Sequence, residues 1–311
     1  MSYPILAIHG GAGTMRRETL SSDMEAEFHA GLRTALLAGH AVLARGGGAL
    51  DAVSAAVCAL EDDPLFNAGR GAVYTSAGQH ELDAAIMDGA TGEAGAVASV
   101  LGPLHPILAA RAVLASEHVL LVGQGAMNFC RAAGIEMAPA AHYHTERRWD
   151  ALRAELARRA SQAADTRDDA ARHGTVGAVA CDAAGHVAAA TSTGGMTGKA
   201  PGRVGDCPVF GAGTWAEDAT CAISATGHGE WFIRRAVAHD IASRMRYLGE
   251  TVEQASETVV AALGVQGGSG GLIAVDAEGR VALPFNSSGM YRGVIGADGV
   301  ARTAIYREEL A

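Results

Sequence analysis

The sequence predicts an α+β protein built as a layered sandwich with its helices outside. Three observations lead there. Strand-like apolar runs occur in antiparallel-looking pairs in both halves of the chain. Helical patterns are grouped between those pairs and do not alternate strictly with single strands, so a doubly wound parallel sheet is not expected. With 311 residues, 49% hydrophobic and 19% charged, the chain can bury a large core without disulfide or metal staples.

Taken in order, Ile5–His9 is a short apolar run ending in Gly10-Gly11-Ala12-Gly13. Phe28, Leu32, Ala35, Leu36 and Leu43 fall at helical spacing within Met24–Leu43. Gly46-Gly47-Gly48 stops that helix, and Ala49–Leu60 starts another. Val73–Thr75, Leu82–Met87 and Ala94–Val100 read as strands joined by glycine turns. Helices are expected at Pro106–Leu114 and Gln124–Ala133, with a strand at Val119–Val122 between them. From about 134 to 174 the chain turns rich in Ala, Arg, Asp and Glu and reads as an exposed, flexible linker, with Arg147–Ala164 as a surface helix. Thr175–Ala180 then opens an apolar strand, paired through Asp182-Ala183-Ala184-Gly185 with His186–Thr191. Gly229–Tyr247 and Thr251–Leu263 read as helices, and Leu272–Val275, Val281–Pro284 and Tyr291–Ile295 as strands.

Charge and cysteine usage narrow the function. Twenty-four Lys and Arg against 34 Asp and Glu leave a net charge of −10, which opposes nucleic-acid partners and docking on anionic membranes. The longest uncharged apolar stretch, Ala94–Ala110, is broken by Gly102, Pro103 and Pro106 and is not expected to span a membrane. Cys58, Cys130, Cys181, Cys207 and Cys221 form no C-x-x-C and are expected as reduced, buried thiols of a cytoplasmic protein. The opening Met1–Leu6 lacks a basic region, so no signal peptide is expected. Lys199 is the sole lysine, so a Schiff-base mechanism would have to use it.

Several chemistries compete. His9–Gly13 resembles an oxyanion loop, and Gly267-Gly268-Ser269-Gly270-Gly271 satisfies G-x-S-x-G. No histidine follows Ser269, however, and a strand follows it directly, so a serine hydrolase is disfavoured. The phosphate-binding P-loop and dinucleotide fingerprints are missing. His142-x-His144 is the closest histidine pair, and it lies in the solvated stretch. An N-terminal nucleophile fits better. A threonine whose own α-amine is free carries its base with it, because that amine titrates near 7.7–8.0. Exposing such an amine requires a dispensable segment ending at a threonine that opens a buried strand. Arg172-His173-Gly174-Thr175-Val176-Gly177-Ala178-Val179 has that arrangement, and Gly174 is expected to permit a strained geometry before the scissile bond.

Nine blocks occur in one order along the chain: His9–Gly13, Leu65–Gly69, Glu81–Ala84, Gly174–Ala180, Thr191–Gly195, Gly202–Asp206, Thr226–Glu230, Gly267–Gly271 and Pro284–Asn286. On these blocks the chain resembles the plant-type L-asparaginase/isoaspartyl (β-aspartyl) peptidase family of Ntn-hydrolases. The resemblance implies one Ntn-hydrolase domain over 1–311, a four-layer αββα sandwich. It implies self-cleavage at Gly174–Thr175 into an α chain (1–174) and a β chain (175–311), with Asn67 assisting. Thr175 would attack L-asparagine or a β-aspartyl dipeptide, Thr193 would orient it, and Thr226 with Gly227 would form the oxyanion hole. Arg203 would hold the substrate carboxylate and Asp206 with the Gly229 carbonyl the ammonium, with Gly227 also among the substrate-binding residues. The loop with Leu60, Glu61, Asp63, Phe66, Ala68 and Arg70 resembles a sodium loop that binds the ion through backbone carbonyls. No cofactor is implied for catalysis, and self-association as (αβ)2 is. A glycosylasparaginase-type amidase, or an uncleaved amino-acid-binding protein on the same scaffold, are the alternatives.

Overall fold

The computed structural model describes residues 4–13, 15, 17, 20–161, 174–308 and 310. The first part of the chain forms β1 (Ile5–Gly13), α1 (Ser22–Leu43), α2 (Ala49–Asp62), β2 (Leu82–Asp88), β3 (Ala94–Val100), α3 (Pro106–Leu114), β4 (Leu120–Val122), α4 (Gly123–Ala132) and α5 (Glu146–Ala160). The second part forms β5 (Val176–Cys181), β6 (Val187–Thr193), β7 (Thr214–Ala216), β8 (Ala222–Gly227), α6 (Gly229–Arg235), α7 (Val237–Leu248), α8 (Val252–Val265), β9 (Gly270–Val275), β10 (Val281–Ala282), β11 (Gly289–Ile295) and β12 (Arg302–Ala304).

The strands build an eight-stranded sheet, ordered β12-β11-β1-β5-β6-β2-β3-β4, and a four-stranded sheet, ordered β10-β9-β8-β7. Among the described residues, β3–β4 is the one parallel pairing between these strands. Each sheet presents small and branched side chains on both faces, and three apolar clusters fill the spaces this creates. One lies between α1–α4 and the large sheet, with Leu32, Leu36, Val53, Leu60 and Ile107 packed on Leu6, Ile8 and Ile86. A second lies between the sheets, where Ala7, Val179, Val187 and Ala189 meet Ala222, Ile273 and Val275. The third joins the small sheet to α7 and α8 through Ile223, Leu272, Ile241, Val260 and Leu263. Helix starts follow local chemistry. Ser21 caps α1 by accepting the Met24 amide, and Thr251 with Gln254 forms a capping box on α8.

Three expectations are corrected. The 134–174 segment is not simply exposed. Tyr143 is fully buried and donates to the Pro103 carbonyl, and α5 buries Arg148, Leu152 and Glu155. The Arg148 Nε donates to the Gly71 carbonyl at 2.7 Å, and Arg159 to the Gly198 carbonyl at 2.8 Å. Long Arg stems thus dock a helix whose composition looks solvated. The remainder of that segment, 162–173, lies outside the described residues. Next, Gly229–Tyr247 is two helices, broken where Ala236 adopts a left-handed conformation (φ 47°). Finally, Val73–Thr75 is not a strand. The Val73 amide is spent on the Asn67 side chain and the Thr75 amide on the Gln79 carbonyl, leaving one bridge to Lys199. The short strands β7, β8 and β12 had no counterpart in the sequence reading.

Close approach of backbone explains one glycine with a measurable consequence. A Cβ on Gly95 would lie 2.2 Å from the Leu114 amide nitrogen and 2.3 Å from the Ala110 carbonyl, both in the backbone of α3. Gly125, in α4, has nothing within 4 Å. Gly95→Ala should therefore destabilise the protein by about 1–3 kcal/mol or more. Gly125→Ala should be neutral to about 1 kcal/mol stabilising. Thermal and denaturant unfolding of the pair measures both.

Candidate active site

The site is built where β5 begins. β5 and β6 pair antiparallel with Val176 opposite Ser192 and Gly177 opposite Thr191. That register sets Thr175 beside Thr193, the last residue of β6. Their hydroxyls are 3.3 Å apart, with Thr175 donating. Thr193 in turn donates to the Gly174 carbonyl at 2.9 Å and accepts from the Gly195 amide at 2.9 Å. Asn67 closes the other side. Its Nδ2 donates to the carbonyls of Gly174 (2.8 Å) and Gly195 (2.7 Å), while its Oδ1 accepts from the Val73 amide. The carbonyl before Thr175 is therefore held by two donors, both buried. Gly174 is not in the left-handed region, which corrects the expectation of backbone strain there. What it needs is space, since a Cβ would lie 3.0 Å from the Asn67 Cβ.

Gly174, Thr175, Thr193, Arg203, Asp206 and Gly227 line one small pocket. Thr226 and Gly229 sit against it. The Thr226 hydroxyl accepts the Ala12 amide at 3.1 Å, which ties the end of β8 to the glycine-rich end of β1. A Cβ on Gly229 would lie 2.6 Å from Asp206 Oδ1 and 3.2 Å from Arg203 Nη2, so a side chain there would fill the space between them.

Arg203 is not paired with Asp206 but with Glu230, whose carboxylate accepts Nε at 2.9 Å and Nη2 at 2.8 Å. Hydrogen bonding from His228, and then from Arg203, holds the Glu230 carboxyl well below the usual carboxylate range. Asp206 is 5% exposed and its Oδ2 has no hydrogen-bond partner. Burial pushes its carboxyl up to about 7, with nearby Arg203 opposing. A buried carboxylate with a vacant acceptor beside a guanidinium is chemically matched to an amino-acid head group, which brings its own ammonium.

Residues without an assigned role in the sequence reading also sit here. His9 is fully buried, with Nδ1 2.9 Å from the Thr175 carbonyl. Glu230 lies inside the quoted Thr226–Glu230 block, but an acidic residue after a glycine carries no mark of its partner. Lys199 is buried, donates from Nζ to the Glu81 carbonyl at 2.7 Å, and is absent from the pocket lining. Ser269 forms a turn whose carbonyl accepts the His228 amide.

Leu60, Glu61, Asp63, Phe66, Ala68 and Arg70 are not brought into this pocket. Leu60 and Glu61 end α2, and the others follow in the loop. The Leu60 carbonyl faces a fourth residue, Pro64, that has no amide hydrogen, and the Leu65 amide is spent on Asp63 Oδ1 at 2.9 Å. The last carbonyls of α2 thus lack their usual helical donors, as at any helix end. Among the described residues, no group of three His, Cys, Asp or Glu side chains could hold a metal ion.

Residues 2–305 match the asparaginase family model, and the chain belongs to that family. It is 50% identical to the isoaspartyl peptidase of Salmonella typhimurium, over 99% of this chain and 100% of that protein. It is 48% identical to the isoaspartyl peptidase of Escherichia coli, over 99% and 98%. It is 40% identical to the isoaspartyl peptidase/L-asparaginase of Homo sapiens, over 92% and 91%. Among the described residues, no helix is long and apolar enough to cross a membrane.

The raised Asp206 carboxyl has a consequence for stability. An unfolded aspartate titrates near 3.9. Between about pH 4 and about pH 7 the folded protein holds the Asp206 proton more tightly than the unfolded chain does. Its stabilising contribution is complete below pH 4 and is lost as pH rises through 7. Asp206→Asn has nothing to ionise, so its stability relative to wild type should rise across pH 4–7 and level off above. Denaturant unfolding at successive pH values measures this, and a pH-independent difference would contradict the upward shift.

Proposed function

We propose that this protein is a self-processing threonine hydrolase that converts L-asparagine to aspartate and ammonia and removes β-linked aspartyl residues from dipeptides. The observation that carries the reading is the Gly174 carbonyl, gripped by Asn67 and Thr193 next to a Thr175 hydroxyl that is itself hydrogen-bonded. The names of the similar proteins support the substrate class. The three apolar clusters support reading the architecture as one four-layer αββα sandwich of the Ntn-hydrolase kind.

In self-processing, the Thr175 Oγ attacks the Gly174 carbonyl carbon. Negative charge gathers on the carbonyl oxygen, where Asn67 and Thr193 already donate. The C–N bond breaks, Gly174 becomes esterified to Oγ, and the proton from Oγ ends on the released α-amine. Water then hydrolyses the ester, leaving a Gly174 carboxylate and a free N-terminal Thr175. The chains are 1–174 and 175–311.

In turnover the free amine takes the Oγ proton as the hydroxyl attacks the substrate side-chain carbonyl. Thr193 keeps Oγ oriented, and Thr226 with Gly227 receives the oxyanion. Arg203 binds the α-carboxylate, while Asp206 with the Gly229 carbonyl holds the α-ammonium. Ammonia or the amine of the dipeptide leaves with the proton, and water releases aspartate. A sodium ion held by the carbonyls of the 60–70 loop would be structural and supply no chemistry; Asn67 lies within that loop. We place the enzyme in the cytoplasm, as an (αβ)2 assembly.

Thr175→Ala should remain one chain and be inactive, and a cleaved or active variant would remove the assignment. Wild type should resolve by intact mass into species near 18 and 14 kDa, prorating 31.6 kDa over 174 and 137 residues. Arg203→Ala should still self-process but lose about 10- to 100-fold in kcat/KM on asparagine, the range for a lost charge-assisted contact. Wild-type turnover would refute its role.

A further inference from the structure

Three adjacent strands of the large sheet place His9 opposite Gly177 and Gly177 opposite Thr191. The three residues form one row across β1, β5 and β6, on one face. The facing sheet pairs Thr214 with Ser224. Gly177 leaves a notch in the row, and Ser224 occupies it. A Cβ on Gly177 would lie 1.9 Å from the Ser224 Oγ and 2.5 Å from the His9 Nε2. Ser224 Oγ is 2.9 Å from His9 Nε2 and 2.7 Å from Thr191 Oγ1. Thr214 Oγ1 is 2.7 Å from Thr191 Oγ1 and 3.0 Å from the Cys207 carbonyl. His9, Thr191, Thr214 and Ser224 are each 0% exposed, so water does not compete.

Donor counting, with Thr214 as the donor to Thr191, fixes the direction of this chain. The Thr175 carbonyl can only accept, so the 2.9 Å contact requires a hydrogen on His9 Nδ1. Burial pushes His9 down to about 3, so the ring is neutral and Nε2 carries a lone pair. Ser224 must spend its single hydroxyl hydrogen on Nε2, and its oxygen then accepts from Thr191. Thr191 has no second hydrogen, so it accepts from Thr214, whose hydrogen is shared with the Cys207 carbonyl. From Thr214 through Thr191 and Ser224 to His9 the donors run one way, toward the residue proposed as nucleophile, while the Thr214 hydrogen also leans back on the Cys207 carbonyl.

We infer that Ser224, Thr191 and Thr214 are positioning residues for Thr175, acting through this one-directional hydroxyl chain and the His9 tautomer it fixes. The chain holds the Thr175 carbonyl at one end and the Cys207 carbonyl, next to the substrate-head residue Asp206, at the other. It keeps nucleophile and head-group loop in one frame across two sheets. Hydrogen bonds in such a chain polarise one another, and loss of a middle member loosens both ends. The inference rests on Thr175 being the nucleophile.

Thr191→Val and Thr191→Ser separate the hydroxyl from the shape it fills. T191V matches the volume without the hydroxyl, and T191S keeps the hydroxyl. In the self-processed enzyme, T191V should lower kcat on asparagine about three- to tenfold, the scale of one lost buried hydrogen bond, with KM within about twofold. T191S should recover most of that loss. Proton–nitrogen two-bond correlation NMR of uncleaved T175A protein should show His9 as the Nδ1–H tautomer. Wild-type kcat in T191V, equal losses in T191V and T191S, or an Nε2–H tautomer would each overturn the inference. If T175A instead hydrolyses asparagine, the nucleophile assignment fails while the tautomer is still read in that same protein, so the two failures are told apart.

Discussion

The register between β5 and β6 is the constraint on which everything else depends. With Val176 opposite Ser192, Thr175 and Thr193 end up side by side, and both turn toward the space between the sheets. A one-residue slip of β6 against β5 would send Thr191 and Thr193 to the helix-facing side of the large sheet and take Thr193 away from Thr175. The register is held from both sides. β1 pairs with β5 through Ile5–His9, and β2 pairs with β6 through Asp83–Asp88. The strand that Thr175 opens is therefore central in the large sheet, away from both of its edges.

The 60–70 loop is bound into the same frame by side chains that cross strands. Asn67 reaches the carbonyls of Gly174 and Gly195. Glu61, from the end of α2, accepts the Ser192 hydroxyl at 2.6 Å and the Ile107 amide at 3.0 Å. Its burial pushes the carboxyl up to about 8, so it carries a proton at neutral pH. Arg147 and Arg148 donate to the Leu65 carbonyl from outside. The loop is thus held from the active-site side by Asn67 and Ser192 and from the surface by α5.

Much of this was legible because its marks are local. The helical spacing of Phe28, Leu32 and Leu36 marks α1, and a solvated stretch followed by Gly174-Thr175 and an apolar strand marks the junction. What was not legible depends on pairing at a distance. Nothing near Glu230 in the sequence says that its carboxylate meets Arg203, 27 residues earlier. The α5 segment reads as solvated because arginine counts as charge, although Arg148 lies buried along its whole length. β8, Ala222–Gly227, hides because Ser224 and Thr226 look like surface residues, yet their hydroxyls are spent internally. The break at Ala236 needs a left-handed alanine, which composition does not announce.

The pairing of Arg203 with Glu230 bears on how the pocket handles electrostatic traffic. Glu230 cancels the guanidinium charge locally, so the pocket adds little positive potential to a chain whose net charge is −10. Asparagine enters as a zwitterion with no net charge and feels little of that background field. Aspartate leaves with one extra negative charge, and the surrounding acidic molecule repels it. On the proposed reading, in which Arg203 receives the head group, this charge balance favours entry of the neutral amide and departure of the acid.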